Sequence, residues 1–163
     1  MNIFSNCLYI NSEIGFLHLI FTETELLSIS FSEIEIKNSV HQPDILTQAK
    51  IQLTEYFQGT RKEFQLKINP AGTNFQLEIW ELVSQVPYGK TASYLDIARK
   101  AGSPAKTRAA GMANSKNPLP IIIPCHRIIG KNGDLTGYAG GIHRKIYLLQ
   151  HEMKNFKSPE KLF

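Results

Sequence analysis

Residues 7–36 read as strands. Leu27, Ile29 and Phe31 alternate with Ser28, Ser30 and Ser32, the period of a strand with one face on a core. Ile34 and Ile36 then alternate with Glu33 and Glu35, one residue out of phase, which predicts a bulge or turn at Ser32–Glu33. From Pro43 the period lengthens. Asp44 opens a helix whose apolar face is Ile45, Ala49, Leu53, Tyr56 and Phe57, and Gly59 suits its C-terminal cap. Glu63 to Ile68 is either one more strand or a linker. Asn69-Pro70-Ala71-Gly72 is a loop and the expected domain boundary, dividing the chain into 1–70 and 71–163.

Beyond that loop the pattern is helical. Thr73-Asn74-Phe75-Gln76 has capping-box spacing and leads into Phe75, Ile79, Leu82 and Val83. That helix stops before Pro87, and Tyr88-Gly89-Lys90 is a turn. Ser93 to Lys100 carries Tyr94, Ile97 and Ala98 at helical spacing, and Gly102 ends it. Ser103-Pro104 restarts a helix with serine at the N-cap and proline at the first helical position. Two short helices about a tight glycine turn outline a helix-turn-helix. The second holds Lys106, Arg108 and the small residues Ala109, Ala110, Gly111 and Ala113. Plain helix–helix packing explains the small residues equally well. Asn117-Pro118-Leu119-Pro120 breaks the chain, and Gly130, Gly133, Gly137, Gly140 and Gly141 mark a long loop. Ile142, Ile146 and Leu149 indicate a last helix, with Lys154 to Phe163 as a frayed tail. The fold class expected is α+β: a small strand-rich N-terminal domain, then a mainly helical domain with a helix-turn-helix.

Charge sharpens this picture. The chain of 163 residues carries a net charge of +4. Residues 1–68 hold five Lys/Arg against eight Asp/Glu, whereas residues 88–151 hold ten against two. A basic segment beside an acidic one points to an anionic partner, nucleic acid first, with a solvated basic face as the even alternative. No apolar run is long enough to span a membrane and the N-terminus lacks signal-peptide character, so a cytoplasmic protein is expected. Two cysteines make no disulfide framework.

One of them, Cys125, stands in "IIIPCHRIIG", residues 121–130. A core thiol is the ordinary reading, and the isoleucines favour it. His126 and Arg127 do not, because they need water or partners. A zinc site is disfavoured: adjacent Cys125 and His126 lack ligand spacing, and no Cys-x-x-Cys element accompanies them. An activated nucleophile is the third reading. Adjacent side chains do not face one another in a regular helix or strand, so His126 would reach the thiol only through an irregular backbone or a bridging water.

"IPCHRII", preceded by "NPLP" and followed by "GYAGG" and "LLQHE", resembles the O6-alkylguanine–DNA alkyltransferase family. "FQLEIW", "VPYGKTASY", "IA" and "AAG" are similar to the same family in order and spacing. The resemblance covers roughly Phe75 to Glu152, and residues 1–68 match only in character. It implies DNA repair by single-turnover transfer of the alkyl group of O6-alkylguanine, with O4-alkylthymine as a further substrate, to Cys125, without cofactor or metal. It implies further that His126 is the base acting through water, that Glu152 orients it, that Tyr94 hydrogen-bonds the guanine, and that Asn117 ties the active-site loop to the recognition helix. Tyr138, the Ala139 N–H, Pro120 and Ile128 would form the substrate pocket. Arg108 would fill the gap left by the flipped nucleotide, with Ser93, Tyr94, Lys106, Ala109, Ala110 and Gly111 on the DNA. The partner implied is double-stranded DNA containing O6-alkylguanine, bound through its minor groove by a monomer. The rivals are a non-catalytic damage-sensing relative, a helix-turn-helix regulator, and a Cys-His hydrolase. Neither the basic helix of a regulator nor the distant base of a hydrolase accounts for "PCHR" with Glu152.

Overall fold

The computed structural model describes residues 1–11 and 13–156. Strands β1 (Phe4–Asn11), β2 (Gly15–Phe21) and β3 (Leu26–Ser32) form an antiparallel sheet in chain order. Alternation along β2 buries Gly15, Leu17, Leu19 and Phe21 on one face. Helix α1 (Asp44–Phe57) packs on β1 and β3 with Ile45, Leu46, Ala49, Leu53 and Tyr56 inward. Gly15 turns the first hairpin at φ +78°, where a Cβ would stand 2.7 Å from the carbonyl oxygen of Ser32, so only glycine fits.

The strand expected at Ile34 and Ile36 does not form. The Ser32 hydroxyl donates to the Ile34 carbonyl at 2.7 Å and accepts from its N–H at 3.2 Å, a local bond that ends β3. The chain then runs back beside β1, where the Ile36 N–H donates to Cys7 Sγ at 3.2 Å. Glu63 to Ile68 is irregular, with a single parallel bridge from Ile68 to Leu26. The buried side chain of Gln52 in α1 stands in for a strand there: its amide donates to the Gln65 carbonyl and its oxygen accepts the Gln65 N–H.

The second half begins at α2 (Asn74–Ser84), closed by the Thr73/Gln76 capping box. Strand β4 (Ala92–Ser93) leads into α3 (Tyr94–Lys100), which has its own box of Ser93 and Asp96. After Gly102 (φ +107°), Ser103 caps a 3₁₀ turn, Pro104–Lys106, that continues as α4 (Thr107–Ser115). Trp80 of α2 donates its indole N–H to the Ala113 carbonyl at 2.8 Å and so fixes α4 from below. Strand β5 (Ile128–Ile129) pairs parallel with β4. Helix α5 (Ile142–Phe156) closes the chain.

The buried face of α5 differs from the apolar one expected. Ile142 and Ile146 are exposed, whereas Arg144, Lys145, Leu148 and Glu152 are buried. The helix lies over polar groups of residues 126–128, and these select charged side chains for its inner face. Lys154 to Phe156, expected to fray, form its last turn, and the remainder of the expected tail lies outside the described residues. One continuous core joins both halves of the chain. The edge of β3 also docks directly on the second half, the Ile29 N–H donating to the Pro118 carbonyl at 2.8 Å.

Candidate active site

The three isoleucines form a tight turn. Ile121 and Ile123 are buried, and the Ile123 N–H returns to the Leu119 carbonyl at 2.9 Å. Ile121 stands at φ +76°, a left-handed conformation that a β-branched residue adopts at a cost of about 1–3 kcal/mol. The surrounding core holds it there, and the chain emerges through Pro124 into a 3₁₀ turn, Cys125–Arg127. This is the irregular backbone that two consecutive functional side chains require.

Asn117 organises the approach. Its Oδ1 accepts the Leu119 N–H at 2.9 Å, and its Nδ2 donates to the Ile123 carbonyl at 2.8 Å and to Cys125 Sγ at 3.0 Å. The amide therefore contacts the thiol itself. Asn117 also bonds back to α4, its backbone N–H donating to the Asn114 carbonyl at 3.2 Å, and Asn114 Nδ2 in turn donates to the Cys125 carbonyl at 3.3 Å. Burial pushes the Cys125 thiol up to about 11, against the Asn117 hydrogen bond and the nearby Lys145 ammonium, which favour the thiolate.

Glu152, on α5, is the hub. Its Oε1 accepts from His126 Nε2 at 2.7 Å, from Tyr56 Oη at 2.7 Å and from Arg127 Nη2 at 2.9 Å. Its Oε2 accepts from Arg127 Nε at 2.8 Å and from the Gly89 N–H at 3.1 Å. Burial alone would raise this carboxyl, but the hydrogen bonds and charges of His126 and Arg127 outweigh it and hold the group well below the ordinary carboxylate range. Burial lowers the His126 pKa, and Glu152 only partly opposes this. The carboxylate must receive a proton-bearing nitrogen, so Nε2 carries the hydrogen and Nδ1 keeps its lone pair. Among the described residues Nδ1 has no hydrogen-bond partner.

Cys125 opens on a cavity of about 280 Å³. Pro120, Tyr138 and Ala139 line it, together with Asn114 and Asn117 of the segment just described. Ile128 does not. It is fully buried in β5, and only its carbonyl takes part, accepting from Lys145 Nζ at 2.6 Å. Tyr94 stands at the margin with its hydroxyl donated to the Thr136 carbonyl at 3.0 Å, and the Lys145 ammonium lies 5.9 Å from its ring.

The helix-turn-helix presents Arg108 and Ala109 to solvent, with Gly111 half-buried against the Tyr94 ring. Ala110 is buried and so packs inward instead of facing a partner. Lys106 is partly committed as well: its Nζ donates to the Ala101 carbonyl at 2.6 Å and stands 5.9 Å from the Phe75 ring, closing the end of α3. Ser93 serves as the N-cap of α3. Sequence reasoning missed Tyr56, Asn114, Arg127 and Lys145. A signal for Lys145 existed, because Lys145, Leu148 and Glu152 recur at helical spacing on one face.

Comparison with known proteins agrees with this geometry. Residues 74–154 match the DNA-binding domain of 6-O-methylguanine DNA methyltransferase, and residues 7–70 match its ribonuclease-like domain. The constitutive methylated-DNA–protein-cysteine methyltransferase of Bacillus subtilis is 48% identical over 124 residues, covering 75% of each chain. A Methanosarcina mazei protein of the same name is 42% identical over 146 residues, 89% of each chain. The structure of Mycobacterium tuberculosis OGT-R37K superposes with a TM-score of 0.86 at 38% identity over 99% of this chain and 98% of that one. OGT from the same organism in complex with DNA gives 0.80 at 40% identity over 93% of each. No helix among the described residues is long and apolar enough to cross a membrane. With both halves matched in order, and with relatives this similar over most of their length, the chain belongs to the 6-O-methylguanine DNA methyltransferase family.

Proposed function

We propose that this protein repairs DNA by moving the alkyl group of O6-alkylguanine onto Cys125, once per molecule. The observation that carries the reading is the thiol itself. It is buried, faces a cavity, accepts from Asn117, and stands next to a histidine whose far nitrogen is anchored on Glu152.

The chemistry follows from these groups. The thiol proton passes through a bridging water to the His126 Nδ1 lone pair, and the imidazolium so formed is stabilised by the Glu152 carboxylate. The thiolate attacks the alkyl carbon in line. The carbon–O6 bond breaks, its electron pair goes to guanine, and the Tyr94 hydroxyl, exchanging the Thr136 carbonyl for the base, donates to it and stabilises the developing charge. Asn117 holds Sγ in place and Lys145 supplies a positive field. Tyr138, Pro120 and the Ala139 N–H enclose the alkylated oxygen. The product is a thioether without a good leaving group, so the thiol is not regenerated.

Recognition uses the exposed face of α4. The helix enters the minor groove, where Ala109 and Gly111 permit close approach. Arg108 occupies the gap left when the nucleotide swings out, a step costing a few kcal/mol. The basic surrounding segment binds phosphates without regard to sequence. One copy carries every group named, so the protein acts as a monomer, its functional units being residues 1–70 and 71–163. The chemistry needs a reduced thiol, which assigns it to the cytoplasm.

Incubation with an oligonucleotide containing O6-methylguanine, followed by intact mass and peptide mapping, tests the reading. One added methyl on Cys125 is expected, and none on Cys125→Ser. A methyl on Cys7, with Cys125 free, overturns it.

A further inference from the structure

The cavity at Cys125 has a wall that the second half of the chain does not provide. Ile29, Ser30 and Phe31 of β3 line it, together with Arg144 of α5. Phe31 is the bulky member. Its ring centroid lies 6.1 Å from that of Tyr138, tilted by 56°, and it stands against the glycine loop so closely that a Cβ on Gly140 would come within 2.6 Å of it.

This wall is held in place. The Arg144 guanidinium lies 5.0 Å from the centre of the Phe31 ring, and Arg144 itself is buried. Its Nη1 donates to the Gly140 carbonyl at 3.0 Å, its Nε to the Ile14 carbonyl at 2.9 Å, and its Nη2 to Glu33 at 2.6 Å. One side chain thus ties the cavity loop to the first hairpin and to the end of β3. The Ile29–Pro118 backbone bond fixes the same strand against the segment that leads to Cys125. The sheet is positioned from both sides of the ring, so the strand that carries Phe31 cannot move away without breaking these hydrogen bonds.

We infer that Phe31 of the N-terminal sheet is a specificity-determining residue, a wall of the alkyl pocket that limits the size of the group transferred to Cys125. This rests on the alkyl-transfer reading above. A rigid aromatic wall tolerates a methyl group and disfavours a group that must occupy the space of the ring. In an apolar pocket a single methylene already changes selectivity by about 10–200-fold, so removing a whole ring should have an effect at least of the smaller size.

The test uses two oligonucleotides of one sequence, carrying O6-methylguanine or O6-benzylguanine, and the single-turnover rate of Cys125 labelling. Contacts to DNA are common to both, so the benzyl-to-methyl rate ratio isolates the pocket. Phe31→Ala should raise that ratio at least about tenfold. Phe31→Trp should lower it below the wild-type value. Phe31→Leu, which keeps more of the packing, should raise it by an intermediate amount and covers the case in which the alanine variant fails to fold. A general loss of stability slows both rates and leaves the ratio alone. Ratios unchanged in all folded variants, with wild-type Cys125 labelled normally, overturn the role of Phe31. Absence of labelling in the wild-type protein overturns the alkyl-transfer reading instead.

Discussion

Tyr56 in the last turn of the N-terminal helix donates its hydroxyl to Glu152 Oε1 at 2.7 Å, across 96 positions of sequence and next to the bond from His126 to the same oxygen. The N-terminal half therefore reaches the Glu152 carboxylate directly. Burial and the neighbouring Glu152 charge keep the phenol protonated, its pKa raised well above the usual value, so it is a donor at every working pH. Tyr56→Phe leaves the shape of the core and removes the donor. Hydrogen bonds to charged groups contribute about 1.5–3 kcal/mol, and a loss of stability of that order is expected in denaturant titration. The transfer rate should also fall, because Glu152 loses one of the donors that hold its Oε1 in line with His126. A variant with unchanged stability and rate would show that the bond does no energetic work.

His126 and Glu152 are expected to act as one unit. His126→Ala removes the proposed base and should slow transfer by about 10²–10⁴-fold. Glu152→Gln should slow it as well. It should also cost about 3–5 kcal/mol of stability, because Arg127 is left as a buried charge without its carboxylate. Once both rates are measured below the melting range, the double variant should lose much less than the product of the two single losses. Multiplicative losses would mean that the two residues work independently.

Acid should destabilise the fold through this same cluster. Glu152 has a folded pKa depressed by His126 and Arg127, so its contribution is present above the unfolded carboxylate value and is lost as pH falls toward the folded one. His126 adds to the trend. Its folded pKa is lowered by burial, so below the unfolded histidine value the unfolded chain takes up a proton that the native state refuses. Thermal midpoints measured from pH 7 down to pH 4 should fall from about pH 6.5 onward, the ordinary histidine value. His126→Ala should flatten the upper part of that curve, and a variant curve parallel to the wild type would contradict the assignment.

Much of this was legible in the sequence, and the exceptions share a cause. The capping box at Thr73 was readable because it is local: side chain and backbone groups lie three residues apart. The alternation in β3 was readable for the same reason, but its continuation through Ile34 was not, because a single Ser32 hydroxyl diverts the backbone. The inner face of α5 was misread because apolar periodicity is blind to a helix that packs on carbonyls and a histidine. Lys145 and Glu152 look like surface residues until their partners at Ile128 and His126 are placed beside them. The Cys125 segment carried its own signature, whereas Phe31, Tyr56 and Arg144 belong to the site only through tertiary contacts.

Arg108 separates extrusion from chemistry. It is exposed near the start of α4, away from the thiol network, with Ala109 beside it and Gly111 close behind on the same helix. If its side chain holds the flipped nucleotide state, its contribution exists only where a nucleotide must leave a duplex. Extrusion costs a few kcal/mol from paired DNA and nothing for a base that is already free. Arg108→Ala should therefore slow transfer from methylated duplex DNA by about tenfold to a thousandfold, the rate equivalent of roughly 1.4–4 kcal/mol. Its reaction with the free base O6-benzylguanine should match the wild type. Lys116, exposed at the end of α4, offers the contrast. As a phosphate contact its loss should weaken binding to all DNA alike and reduce the salt slope by about one. Both rates measured on one preparation of Arg108→Ala decide the matter: equal losses on duplex and free base would mean that Arg108 shapes the pocket or the fold, and the extrusion role would fall.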